Sequence, residues 1–297
     1  MKAAEELIEL VKAFAPCDGL HDTAIRSLQL IRVSAPAQRL PAVYEPGLCV
    51  VLQGRKHAQL GSELLVYDSF NYLVISVTML PQAHVVEASE DKPYLCVRLN
   101  VDPRELGGLL LETLPETGPP THHGHGLRVS RVGEPLIDAV LRLLRLLRTP
   151  QDAAVLAPLT VREIYYRVLT GEQGSRLRTL AVVDSHAHRV ARAIDLLKRR
   201  YTEAIRIEEL AEAAHMSMSS LHHHFKQLTS MSPLQYQKHL RLHQARQLML
   251  TDGIDAAAAS HRVGYESPSQ FSREYRRLFG APPRAEVQVL RNAARTS

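Results

Sequence analysis

The sequence predicts an α+β chain. A β-rich N-terminal domain is followed by a helical linker and an all-α C-terminal domain, in which a long helix joins two helix-turn-helix units. Three observations carry this expectation. Short apolar and β-branched runs separated by turn residues fill residues 24–101. Apolar residues at helical spacing take over after residue 134. From about residue 207 the chain carries a weak repeat with a period near 50 residues. The 297 residues suffice for two cores. Boundaries are expected at 1–120 for a regulatory or sensing domain, 121–184 for the linker and 185–297 for the repeat-bearing domain.

Met1 to Phe14 carries Glu5, Glu6 and Glu9 among apolar residues. That mixture reads as an amphipathic surface helix rather than a secretory signal, which needs an unbroken apolar stretch. No apolar run is long enough to span a bilayer, so a cytoplasmic protein without membrane contact is expected. Cys17, Cys49 and Cys96 are odd in number and scattered, without zinc-ligand spacing, so neither a disulfide framework nor a zinc finger is indicated.

In the β-rich part, Leu48-Cys49-Val50-Val51-Leu52 and Tyr72-Leu73-Val74-Ile75-Ser76-Val77 read as strands. Turns are expected at Pro46-Gly47, Gln53-Gly54-Arg55-Lys56, Leu60-Gly61-Ser62 and Asp91-Lys92-Pro93. Several short strands at such spacing imply a sandwich or barrel. Pro103-Arg104-Glu105-Leu106 looks like a helix start, and Gly118-Pro119-Pro120 with His122-His123-Gly124-His125 like a loop. Leu136, Val140, Leu143, Leu144 and Leu147 then form one helical stripe, and Thr160 to Leu169 a second helix. This pair packs either within its own chain or against a second copy.

The formal charge of +5 is uneven. Residues 185–297 hold 17 Lys and Arg against 10 Asp and Glu, whereas residues 1–184 hold 19 against 21. A basic C-terminal part fits a polyanionic partner or an ordinary basic surface. The repeat is more specific. Ile207-Glu208-Glu209-Leu210-Ala211 opens a short helix, Ala213-Ala214-His215-Met216 makes a turn, and Ser217 caps a helix carrying Leu221, Phe225 and Leu228. The second copy runs Ala256 to Arg262, then Val263-Gly264-Tyr265-Glu266, then the cap Ser267 and the stripe Phe271, Tyr275 and Leu278. The second turn holds one extra residue. Ala211 and Ser260 are small enough for close helix approach. Gly264 suits a left-handed position; at His215 either a residue with a Cβ adopts positive φ or the turn differs.

On a helical wheel, Ser219, His223 and Lys226 lie opposite the first apolar stripe, flanked by His222 and Gln227. Ser269, Arg273 and Arg276 lie opposite the second, flanked by Ser272 and Arg277. Hydrogen-bonding and cationic side chains suit base edges and phosphates; any solvated surface helix would show one such face, and its recurrence at equivalent positions of the repeat favours DNA contact. Pro268 sits at the first helical position, where it costs nothing. Ser232-Pro233 starts a helix to about Leu250, roughly 27 Å long. Such a rod could set two recognition helices about one DNA turn (~34 Å) apart.

With these residues in place, the chain resembles the AraC/XylS family of transcription regulators. Residues Met216 to Lys226, Met231 to Tyr236, Arg241-Leu242 with Ala245-Arg246, Val263 to Tyr275 and Leu278 to Pro283 carry the resemblance. It implies a DNA-binding domain in the last hundred residues, with Ser219, His222, His223, Ser269, Ser272 and Arg273 at groove-reading positions. His215 departs from the glycine usual there, and Ala256 and Ala259 are smaller than usual, which implies a lighter second core. Tyr44-Glu45-Pro46-Gly47, Leu52-Gln53-Gly54-Arg55-Lys56, Tyr72-Leu73-Val74, Ala88-Ser89 and Pro93-Tyr94-Leu95 are similar to the N-terminal domain of such regulators. That implies a small cupin-like β-barrel that senses a ligand or mediates association. The partners implied are double-stranded DNA, an unidentified small-molecule effector, RNA polymerase and a second copy of the chain.

Other constellations are weighed against plainer roles. Consecutive His222, His223 and His224 diverge by about 100° and cannot chelate one metal together; His224 is expected at the core edge. His239 and His243 stand one turn apart, but a solvated or phosphate-facing role is preferred to metal binding. His122, His123 and His125 read as an exposed loop. His57 and His84 lack close ligand companions, so no cofactor and no catalytic residue are expected. A cupin enzyme, metal-dependent or not, with a DNA tether is the alternative. Cys49 and Cys96 read as small buried hydrophobes, with thiol sensing the competing reading. Phosphate anchoring is expected chiefly from the second unit, and pH-sensitive contacts from the first.

Overall fold

Alternating apolar side chains set the layering of the N-terminal half. The computed structural model describes residues 2–36, 40–113, 127–182 and 185–296. Its strands are β1 (Gly19–Asp22), β2 (Leu28–Val33), β3 (Leu40–Pro41), β4 (Gly47–Gln53), β5 (Arg55–Leu60), β6 (Glu63–Tyr67), β7 (Asn71–Ile75), β8 (Gln82–Glu87), β9 (Tyr94–Leu99) and β10 (Leu127–Arg131). They form two antiparallel sheets, one ordered β1-β2-β9-β4-β7-β10 and the other β3-β8-β5-β6. β4 is apolar on both faces because both are covered. Leu48, Val50 and Leu52 turn toward a helical layer, while Val51 turns into the core between the sheets. One residue, Gly54, carries the chain from β4 into β5 and so from one sheet to the other. Its φ is 81°, and a Cβ there would stand 2.6 Å from the Glu87 carbonyl oxygen, so only glycine fits.

The sheets account for the cupin-like expectation, with two corrections. β10 lies within 121–184, the segment expected to be a helical linker, yet it pairs with β7 from Leu127↔Ile75 to Arg131↔Asn71. Gln53-Gly54-Arg55-Lys56 is no four-residue turn; β5 begins at Arg55, and Lys56 is a strand residue facing inward. The His122–His125 segment and Gly118-Pro119-Pro120 lie outside the described residues.

Five helices cover the outer face of the six-stranded sheet: α1 (Lys2–Phe14), α2 (Pro103–Thr113), α3 (Glu134–Arg145), α4 (Pro150–Leu169) and α5 (Gly174–Ala181). The stripe Leu136, Val140, Leu143, Leu144 and Leu147 is buried within its own chain. Arg145 leaves that stripe to donate to both carboxylate oxygens of Glu6 on α1, at 2.7 and 2.6 Å. α4 begins ten residues before the expected Thr160 and passes through Pro158.

The C-terminal part comprises α6 (His186–Arg199), α7 (Ile207–Ala213), α8 (Met218–Thr229), α9 (Pro233–Thr251), α10 (Ala256–Arg262), α11 (Pro268–Phe279) and α12 (Pro283–Thr296). Its two units are cored differently. Ile194, Leu197, Phe225, Tyr236 and Leu240 belong to the same buried cluster as Val51, Leu73 and Val85 of the sheets. Leu242, Met249, Ala259, Phe271, Tyr275 and Phe279 form a separate cluster. Polar contacts fasten the first unit to the sheets. The fully buried Tyr236 hydroxyl donates to the Thr78 carbonyl at 3.0 Å, and Lys198 Nζ donates to Glu45 at 2.9 and 3.0 Å. Among the described residues no helix is long and apolar enough to cross a membrane.

Candidate nucleic-acid interface and N-terminal cavity

The two turns are built alike. In the first, Met216 N–H donates to Ala211 O at 2.9 Å and His215 N–H to Glu212 O at 2.9 Å. In the second, Tyr265 N–H donates to Ser260 O at 2.9 Å and Gly264 N–H to His261 O at 3.0 Å. His215 adopts φ 50° and Gly264 φ 86°, so histidine takes the left-handed position itself and the turn is conserved in shape. Ser217 Oγ then accepts from Ser220 N–H and Ser267 Oγ from Gln270 N–H, capping α8 and α11. Ala211 and Ser260 are buried where the paired helices meet.

These caps and the inward residues fix which face each recognition helix shows. Leu221, Phe225 and Leu228 point into one core, Phe271, Tyr275 and Phe279 into the other; Leu278 is only partly buried. Ser219, His222, His223 and Lys226 are exposed on α8. Ser269, Arg273 and Arg276 are exposed on α11, with Ser272 partly so. His224 lies at the core edge, its ring stacked on His186 at 3.7 Å. α11 also passes close to β3.

α9 holds the two units in fixed relation, and its polar residues do much of this. Arg241 donates to the carbonyls of Tyr201 (2.6 Å), Glu203 (2.9 Å) and Gly264 (3.0 Å). One guanidinium thereby ties the loop before α7 to the turn before α11. Gln237 adds bonds to Tyr201 O and Glu203 O. Neither role was legible in the sequence, where Arg241 stood out only as part of a familiar pattern.

His239 and His243 do not form the solvated face expected of them. Both are partly buried on α9, His243 edge-on to Phe279 with ring centres 5.6 Å apart. His239 Nδ1 and His243 Nε2 are buried without a hydrogen-bond partner. Burial, with repulsion from His239 and Arg246, pushes the His243 imidazole down to about 3. An unfolded histidine titrates near ~6.5, so the stabilisation is complete above that value and is lost as pH falls from there toward 3. Stability is expected to drop by roughly 2 kcal/mol between about pH 7 and pH 5. Urea midpoints should fall accordingly, and fall less in His243→Leu; equal falls in both proteins would refute the assignment.

Between the two sheets lies a cavity of about 240 Å³. Leu20, Ile31, Leu73 and Ile75 give it apolar walls, and Tyr44, Tyr67, Tyr94, Lys56, Cys49 and Arg98 bring polar atoms to it. The Tyr44 and Tyr67 hydroxyls share a hydrogen bond. Lys56 Nζ stands 5.1 Å from the centre of the Tyr44 ring and 5.9 Å from that of Tyr94. Glu45 also lines the cavity and is the residue that holds Lys198 of α6, while its Oε2 accepts from Thr78 Oγ1 at 2.7 Å. Cavity wall and helical domain thus share one carboxylate. A larger groove of about 700 Å³ lies outside the sheets, between Ile25, Asn100 and the start of α4. His57 and His84 pair across β5 and β8 with ring centres 5.4 Å apart. They alternate with the inward Lys56 and Ala58 and so face away from the cavity. Among the described residues no group of three or more His, Cys, Asp or Glu is placed to hold a metal.

Paired helix-turn-helix units on one long helix, docked on a two-sheet domain with an internal cavity, define a helix-turn-helix regulator with an N-terminal accessory domain. Residues 24–176 match the family of the AraC-type transcriptional regulator N-terminus, and residues 210–288 match the helix-turn-helix domain family. The chain belongs to the AraC family of transcriptional regulators. It is 29% identical over 149 residues to the HTH-type transcriptional regulator ArgR of Pseudomonas aeruginosa, covering 50% of this chain and 45% of that protein. It is 27% identical over 157 residues to the HTH-type transcriptional activator RhaS of Salmonella schwarzengrund, covering 52% of this chain and 55% of that one. The matched segments therefore span about half the length of these relatives. Among solved structures, ToxT from Vibrio cholerae with an unsaturated fatty acid bound superposes with a TM-score of 0.57 at 10% identity, over 88% of this chain and 93% of that one. At that identity the likeness concerns the fold.

Proposed function

We propose that the chain is a sequence-specific DNA-binding transcription regulator whose N-terminal cavity takes a small-molecule effector. The carrying observation is the duplicated interface: α8 and α11 are capped, backed and presented alike, each turning hydrogen-bonding or cationic residues outward. Ser219, His222, His223 and Lys226 are assigned to one major-groove segment, and Ser269, Ser272, Arg273 and Arg276 to the next. The 19 residues of α9, roughly 28 Å, suit that spacing. The three parts 1–120, 121–184 and 185–297 are assigned to sensing, linkage and DNA binding, and no catalytic step is assigned. The names of the relatives support a role in transcription, and the fatty acid bound by ToxT supports a small-molecule effector. The shared carboxylate of Glu45 supports communication, since displacing the Tyr44-Glu45 wall disturbs the grip on Lys198. RNA polymerase and a second copy are the further partners proposed. Exposed Val155, Leu159 and Tyr166 on one face of α4 support the second copy. A cytoplasmic location accords with this role.

The test is Arg273→Ala. Loss of a base-edge contact is expected to weaken binding to the preferred site by ~1–3 kcal/mol and to relax preference at one base position. Binding selection with random duplexes, followed by titration at fixed salt, measures both. Unchanged affinity together with unchanged preference removes Arg273 from the interface. Failure of the wild-type chain to bind any duplex refutes the function.

A further inference from the structure

We infer that Cys49 is a covalent modification site for small α,β-unsaturated carbonyl compounds entering the cavity between the sheets. Four observations converge there. First, the thiol is reachable: both cysteines line the cavity, but Cys49 is only partly buried whereas Cys96 is buried. Second, the two thiols are neighbours. Cys49 is in register with Arg98 and Cys96 with Val51, so they lie diagonally on one face of the β4–β9 pair, and the Cys96 thiol donates to the Val97 carbonyl at 3.6 Å. Diagonal strand positions are ~7–8 Å apart, beyond the ~4.4–6.8 Å Cα spacing of disulfides, so the pair is not set to bridge. Third, cations stand beside the nucleophile. Lys56 and Arg98 line the same cavity, and the carboxylate that lines it with them, Glu45, is paired with Lys198. Fourth, the neighbouring Cys96 thiol and the charges of Arg98 and Lys56 pull the Cys49 thiol below its ordinary range against the opposing pull of burial, while Cys96 is pushed up.

The chemistry that fits is conjugate addition. The Cys49 proton leaves to water, and Sγ forms a bond to the β-carbon of the unsaturated carbonyl. The C=C π pair moves to the carbonyl oxygen as an enolate, which the Lys56 ammonium and the tyrosine hydroxyls are placed to stabilise, and the α-carbon then takes a proton from water. Thiol hydrogen and sulfur have added across the double bond, and no oxidant or reductant is needed. At about 240 Å³ the cavity falls below the usual ~300–1,000 Å³ of small-molecule sites, which restricts the reagent to a few heavy atoms.

The experiment treats the folded full chain briefly with but-3-en-2-one in mildly acidic buffer and maps adducts by peptide mass spectrometry. Exposed Cys17 is the comparator within the same molecule. Cys49 is expected to react about tenfold or more faster than Cys17, and the ratio to collapse in urea. Lys56→Met is expected to slow Cys49 by about tenfold and leave Cys17 unchanged, with Cys96→Ala acting in the same direction. Cys49 reacting no faster than Cys17, or at a rate indifferent to both substitutions, overturns the inference. The readout is chemical, so its failure is distinct from a failure of DNA binding.

Discussion

Replacing Gly264 with alanine is expected to cost roughly 2–6 kcal/mol, the sum of a strained left-handed residue and a steric overlap. The overlap decides the size. A Cβ at this position would stand 2.2 Å from the Thr202 carbonyl oxygen and 2.9 Å from its carbon, both main-chain atoms that cannot swing aside. The dihedral strain by itself is bearable, because His215 holds φ 50° at the equivalent place in the first unit. His215→Ala, at an exposed position, serves as the near-neutral control. To relieve the overlap, the loop after α6 must part from the second turn. Arg241 then loses its common grip on Tyr201, Glu203 and Gly264. The loss should therefore appear twice: as a lower urea midpoint, and as weaker DNA binding even where the chain remains folded. A Gly264→Ala protein with wild-type stability would show that the close approach to Thr202 is not maintained in solution.

The second large effect is expected at Glu286, in the first turn of α12. This carboxylate is buried, 7% exposed, and accepts from the Arg246 guanidinium at 2.8 Å and from the Tyr275 hydroxyl at 2.8 Å. Arg246 in turn lies over the Phe279 ring, 5.0 Å from its centre. Glu286→Ala leaves a guanidinium and a hydroxyl buried without their acceptor, and a cost of about 3–5 kcal/mol is expected. Removing both charges is cheaper than removing one, since the pair gains little over a well-packed apolar replacement. Glu286→Met combined with Arg246→Met should thus recover much of the loss. Denaturant titration of the single and double variants checks this, and a double variant as unstable as the sum of its parts would refute the coupling.

How much of this was legible in the sequence depended on how local the cause was. The caps Ser217, Ser232 and Ser267 and the bounds of α10 follow from near neighbours, and they were readable. So was the apolar run of β4 as a strand. α9 defeated the helical wheel because it is covered nearly all round: Tyr236, Gln237, Leu240, Leu242 and Ala245 are all buried. Polar His239 and His243 consequently sit among packed side chains rather than in water. Lys56 was hidden for a related reason. Its polar neighbours imitate a turn, and only the second sheet, formed by strands far along the chain, turns it inward. β10 was missed because its partner β7 lies more than fifty residues earlier, and nothing within the strand announces the pairing. The outward positions of α8 and α11 were legible because each repeat reports on the other. The polar side chains of Tyr44, Cys49, Lys56, Tyr67, Tyr94 and Arg98 that line the cavity have no such echo.

The division of the C-terminal part between two buried clusters bears on how the molecule comes apart. Leu240 belongs to the cluster that includes the sheets, and Leu242, two residues on, to the other. The boundary between cooperative folding units therefore runs through the middle of α9 rather than at the linker. Substitutions in the sheet core are therefore expected to loosen the first recognition helix more than the second, whose inward side chains belong to the other cluster even though α11 passes close to β3.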